Sequence, residues 1–113
     1  MRTGKIEIGG KPYIICFSSR VAVALEEKFG SIENAFSSTL TSDLMWMLAT
    51  MIDAGDRYAK LEGIENTGKL TMDEILDKTG PEDYNKIFSF VLDAVKKGGE
   101  TEIETVPNTK TTL

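Results

Sequence analysis

The chain contains no histidine and a single cysteine, Cys16. Without histidine there is no Ser–His or Cys–His dyad, and no imidazole to ligate a metal or shuttle protons near neutral pH. One cysteine excludes an internal disulfide framework and any multi-cysteine zinc site. No apolar run approaches the roughly 18 residues that a membrane helix requires, and MRTGKIEIGG lacks the apolar stretch of a signal peptide. A cytosolic protein is therefore expected. Positive charge is the minority, with 13 Lys and Arg against 18 Asp and Glu, a net charge of −5. That is the wrong sign for a surface that neutralises phosphates, and too mild an excess for a DNA mimic, so no nucleic-acid partner is expected.

What is present suits one small domain of 113 residues with a modest core. Residues 5–8 (KIEI) and 13–17 (YIICF) are rich in β-branched and aromatic side chains, with the turn cluster GGKP between them. This predicts a β-hairpin, which must pack on helices or pair with another chain because a lone hairpin is marginal. Cys16 sits in its second strand and reads as a small buried residue. SSRVAVALEEKFG then predicts a helix capped by Ser18 or Ser19 and closed at Gly30, with Val21, Leu25 and Phe29 on one face. SIENAFSS suggests a short helical turn burying Ile32 and Phe36.

The longest helix is expected after Ser42, continuing to about Glu62. Its buried stripe is Leu44, Leu48, Met51, Ile52 and Ala59, with Met45 and Met47 on the flanks. Gly55 falls inside the stripe, either to admit another backbone or to mark a kink; a continuous helix is the preferred reading. Trp46 lies nearly opposite the stripe, either covered by another segment or awaiting a partner. Thr71 and Glu74 form a capping box for a helix that buries Met72, Ile75 and Leu76 and ends at Gly80. Pro81 opens the last helix, with Tyr84, Ile87, Phe88, Val91, Leu92 and Val95 on one stripe and Phe90 at its edge. From Gly98 the composition turns to threonine, glycine and proline. The expected division is a folded domain over 1–97 and a disordered tail over 98–113.

One stretch resembles a metal site. Residues 63–74, GIENTGKLTMDE, have glycine sixth and glutamate twelfth, as in a calcium-binding EF-hand loop. The first, third and fifth places, however, hold Gly63, Glu65 and Thr67 rather than a set of short carboxylates. Thr71 and Glu74 are already explained by the capping box, and there is no second loop to pair with. The stretch therefore reads as a helix–helix connection, and no metal or cofactor is expected. Asp53 with Asp56, and Asp73 with Glu74 and Asp77, read as solvated helix faces. GGKP is too short for a phosphate loop. Nothing pairs a nucleophile with a base, so no catalytic residue is assigned and no enzyme activity is expected.

Three blocks carry a family resemblance. GKIEIGGKPYIICFSSRVAVALEEKFG, DLMWMLATMIDAG and LTMDEILDKTGPEDYNKIFSFVLDAV together resemble the tail assembly chaperones of long-tailed phages and prophages, over roughly residues 4–97. The chain departs from that pattern in a longer RYAKLEGIENTGK segment. The resemblance implies a mostly helical, self-associating, non-enzymatic protein of the host bacterial cytoplasm, absent from the mature virion. It implies two partners: the tape-measure protein, whose apolar helices such chaperones coat, and the tail tube protein, which they recruit. Methionine suits such a surface because its side chain is flexible and polarisable, although it also fills core gaps. Met45, Trp46, Met47 and Phe90 are the candidate partner-binding residues. The alternative is a structural head–tail connector or tail-terminator subunit.

Overall fold

Two strands, β1 (Thr3–Ile8) and β2 (Lys11–Cys16), pair antiparallel with Ile8 opposite Lys11. Only Gly9 and Gly10 lie between them, both at positive φ (59° and 80°). A two-residue hairpin turn demands that left-handed pair, which L side chains adopt only with strain. The turn is thus shorter than the GGKP cluster, and Pro12 belongs to β2, opposite Glu7. Ile14 donates its N–H to Asn66 Oδ1 rather than to β1. By the alternation of an antiparallel ladder, Pro12, Ile14 and Cys16 therefore turn their backbone groups outward. Proline is tolerated at such a position because its missing N–H would not have entered the ladder.

The computed structural model describes residues 3–98. After the hairpin come α1 (Ser19–Phe29), α2 (Ile32–Ser37), α3 (Thr41–Glu62), α4 (Met72–Lys78), a single 3-10 turn (Pro81–Asp83) and α5 (Tyr84–Gly98). This is an α+β architecture, an N-terminal hairpin packed on a mostly helical body. Ser18 Oγ accepts from the Val21 N–H, and Gly30 closes α1 at φ 92°. Ser31 caps α2 in the same way. Of the tail expected over 98–113, Gly98 is instead the last residue of α5, and 99–113 lie outside the described residues.

α3 is the spine. It runs without a break through Gly55, and β2 packs on it more extensively than on any other helix. A Cβ at Gly55 would stand 1.8 Å from the Ile14 carbonyl oxygen and 2.4 Å from its carbon. Backbone meets backbone there. Of the two readings of Gly55, the close approach holds and the kink does not. α1, α4 and α5 pack around the rest of α3, while α5 also covers β1.

Being enclosed on several sides changes which residues of α3 are interior. Met45, Met47, Leu48, Met51, Ile52, Ala54 and Ala59 are buried, whereas Leu44, expected in the stripe, is only half-buried. In α2 the buried residue is Ala35, with Ile32 and Phe36 half-buried. In α4, which is only seven residues long, Ile75 alone is buried and Leu76 is exposed. α5 buries Ile87, Val91 and Ala94, while Tyr84, Leu92 and Val95 are half-buried and Phe88 is exposed. Short helices touching few neighbours need only a narrow seam, so the wider stripes read from periodicity are trimmed.

Gly55→Ala separates local from tertiary effects. In an isolated helix the change gains about 1 kcal/mol of helix propensity. Against the Ile14 carbonyl it should instead cost on the order of 3 kcal/mol by overpacking. Urea denaturation followed by Trp46 fluorescence should show a lowered midpoint; a raised midpoint would contradict the backbone contact.

Candidate functional site

The stretch that resembled a calcium loop is a connection with three jobs. Gly63 ends α3 in the left-handed conformation (φ 68°), and Ile64 N–H returns to the Ala59 carbonyl at 2.9 Å. Asn66 then closes the outer edge of β2: Oδ1 accepts from Ile14 N–H at 3.0 Å, and Nδ2 donates to Asp56 Oδ1 at 3.2 Å and to the Gly68 carbonyl at 3.1 Å. The Thr67 hydroxyl donates to the Pro12 carbonyl one step along the same edge. Finally, Thr71 N–H donates to Glu74 Oε1 at 2.8 Å and Glu74 N–H donates to Thr71 Oγ1 at 3.1 Å. The carboxylate that would have been the last calcium ligand is engaged in the cap. Among the described residues, no three Cys, Asp or Glu side chains converge on one point.

The carboxylates of α3 are less solvated than their spacing suggests. Asp56 is only 8% exposed, lying under the loop between Asn66 and Lys60 Nζ at 3.1 Å. A buried carboxylate requires such partners because unpaired burial is costly. Asp53 is half-buried, with Arg57 Nε at 3.0 Å and Lys69 Nζ at 3.3 Å. Partial burial works to raise its pKa, but the hydrogen bonds and charges of Arg57 and Lys69 together hold it below the ordinary value. The Thr71 backbone and side-chain hydrogen bonds hold Glu74 low as well.

The four partner-binding candidates do not form one surface. Met45 and Met47, 0% and 2% exposed, are core residues. Trp46 is half-buried and covered by α1: the Phe29 ring meets it edge-on at 5.9 Å, and Lys28 Nζ sits 5.1 Å from its centroid. Phe90 is half-buried against the core.

An apolar surface does exist, one layer further out. A groove of about 200 Å³ runs between the start of α3 and α5, lined by Leu40, Leu44, Met47, Tyr84 and Phe88 with Thr39 and Thr41 at its rim. Leu40 is 61% exposed and Phe88 37%. Phe36 of α2 braces Phe88 edge-to-face at 5.9 Å. Of the four candidates only Met47 reaches this groove, as part of its lining. Leu40 carried a signal that periodicity passes over. It stands at the N-cap of α3 with no side-chain cap hydrogen bond, where Ser, Thr, Asp or Asn would be preferred.

A wider groove of about 520 Å³ lies between the start of α1 and the last turns of α3, with Ser18, Arg20, Tyr58 and Leu61 in its wall. Two of its cations, Arg57 and Lys60, are engaged by Asp53 and Asp56. The smaller groove is lined by no charged side chain, whereas Arg20, Arg57 and Lys60 line the larger one, and the smaller is the candidate site. Compared with protein-family models, with curated proteins and with solved structures, the chain matches none of them.

Because Glu74 and Asp53 titrate below their ordinary values in the folded protein, the stability they contribute is complete above those ordinary values. It is lost as pH falls through the lowered ones. In an acid titration followed by NMR, the Thr71 amide shift should therefore move with a midpoint below that of an ordinary glutamate. Glu74→Gln should abolish the movement; a midpoint at or above the ordinary value would remove the capping account.

Proposed function

We propose that this protein is a phage tail assembly chaperone whose groove between α3 and α5 holds an apolar helical segment of the tape-measure protein. The observation that carries the reading is the exposed pair Leu40 and Phe88, standing over half-buried Leu44 and Tyr84. Solvent-facing leucine and phenylalanine in the wall of one groove are costly in isolation and favourable once covered. Burying each side chain is worth roughly 1.5–3 kcal/mol. A helix presenting apolar residues at i, i+3 or i+4, and i+7 matches such a groove. The resemblance of the three sequence blocks to the chaperone family supplies the identity of the client.

The role so defined is non-enzymatic. The protein acts in the host bacterial cytoplasm, covers tape-measure helices before the tube closes around them, helps recruit tail tube subunits, and leaves before the virion is complete. No helix among the described residues is long and apolar enough to cross a membrane. The net charge of −5 favours solubility of a protein that keeps apolar side chains exposed.

Leu40→Ala and Phe88→Ala should each weaken binding to a tape-measure segment from the same phage about tenfold, which is roughly 1.4 kcal/mol. Leu40 is mostly exposed, so its variant should change the denaturation midpoint little. Phe88→Ala also loses the ring contact with Phe36 and should lower it, so binding is compared below that midpoint. Calorimetric titration of the two variants checks this. Wild-type affinity in both, or recovery of the protein from purified virions, would refute the reading and turn attention to a connector or terminator subunit.

A further inference from the structure

β1 has two edges, and among the described residues only one is paired. Gly4, Ile6 and Ile8 face the ladder with β2, so the N–H and C=O groups of Thr3, Lys5 and Glu7 point the other way. Among the described residues the sheet has two strands, and no loop or side chain hydrogen-bonds those outward groups. The outer edge of β2 is treated differently, since Asn66 and Thr67 close it. The Lys5 and Glu7 side chains are exposed, while Ile6 between them is buried. Unpaired backbone groups in a row are a template for a further strand.

We propose that this edge pairs with β1 of a second copy of the chain, antiparallel about a two-fold axis at Ile6. The direction of the outward groups requires odd-numbered residues to face odd-numbered ones. An axis at Lys5 would set the two lysines against each other, and an axis at Glu7 the two glutamates. Like charges directly opposite are destabilising. An axis at Ile6 places Lys5 opposite Glu7 of the second copy, twice by symmetry, and Ile6 opposite Ile6. Each Lys5–Glu7 pair then exchanges both of its backbone hydrogen bonds and sets opposite charges side by side. Charged side chains ordinarily protect an edge from pairing. The order positive–apolar–negative makes this edge complementary to itself, which is what an isologous interface requires. The sheet becomes four-stranded, in the order β2–β1–β1–β2.

The competing occupant is the chain's own segment after Gly98; Gly98 itself lies against Phe17, which follows β2 at the end where β1 begins. The segment's acidic residues are Glu100, Glu102 and Glu104 and its one basic residue is Lys110. No register therefore sets a carboxylate opposite Lys5 and an ammonium opposite Glu7 at once, as the second copy does. The inference rests on the hairpin alone and does not depend on the groove between α3 and α5.

Sedimentation of the full chain from about 10 μM to about 1 mM should show the mass rising from 12.4 kDa towards twice that value. Lys5→Glu and Glu7→Lys should each weaken self-association at least tenfold, with circular dichroism and Trp46 emission unchanged. An equimolar mixture of the two variants should recover the dimer, because two carboxylates then face two ammonium groups. A wild-type chain that stays at 12.4 kDa throughout overturns the proposal, whether its Lys5 amide is open to exchange or protected by its own tail. So does a mixture that fails to recover.

Discussion

The contact on which the rest of this fold depends is the seating of β2 against α3 at Gly55. Helix and strand backbones approach there to a distance that a single methyl group would prevent. A two-stranded hairpin is marginal alone, and its order here comes from lying along a 22-residue helix. Once β2 is so placed, the outward N–H of buried Ile14 is partly shielded from water and needs a partner. The loop after α3 supplies it through Asn66, which also ties in the buried Asp56. Helix, strand edge and loop are thus one mutually dependent unit. The segment RYAKLEGIENTGK, where the chain departs from the family it resembles, supplies the last turns of α3 and most of that closure.

Much of this was readable before any coordinates. The hairpin, the order of the helices, the continuity of α3, the Ser18 and Gly30 caps and the Thr71–Glu74 box follow from chemistry within a few residues of each feature. What was not readable depends on contacts between distant segments. Nothing near Asn66 signals that it will accept from an amide 52 residues away. Gly55 could be read as a site of close approach, but not as the site where β2 arrives. Met45 and Met47 looked like flanks because a stripe assumes one buried side, and α3 has neighbours on several.

The candidate site shows the same division. Leu40 sits in a loop-to-helix junction and Phe88 on what looked like the buried stripe of α5, so no periodicity joins them. They line one groove because α3 and α5 pack together, with Phe36 of α2 bracing Phe88. Methionine content pointed to an adaptable apolar surface, but Met45 is buried in the core and only Met47 reaches the groove. Met47 forms part of the lining, while leucine and aromatic rings meet the solvent. A flexible Met47 beneath a rim of leucine and aromatic rings lets the groove adapt while the rim keeps its shape. No hairpin residue lines the groove between α3 and α5, so the groove and the outer edge of β1 are separate surfaces.

The Ile14 amide tests the central claim most directly. If β2 is closed by Asn66 against α3, that N–H should exchange with deuterium as slowly as the amides of the α3 core. Replacing Asn66 with alanine should speed its exchange about tenfold or more, the consequence of losing a hydrogen bond worth roughly 1.5 kcal/mol. An Ile14 amide that exchanges freely in the unmodified protein would contradict the account, because the strand edge on which it rests would then be open.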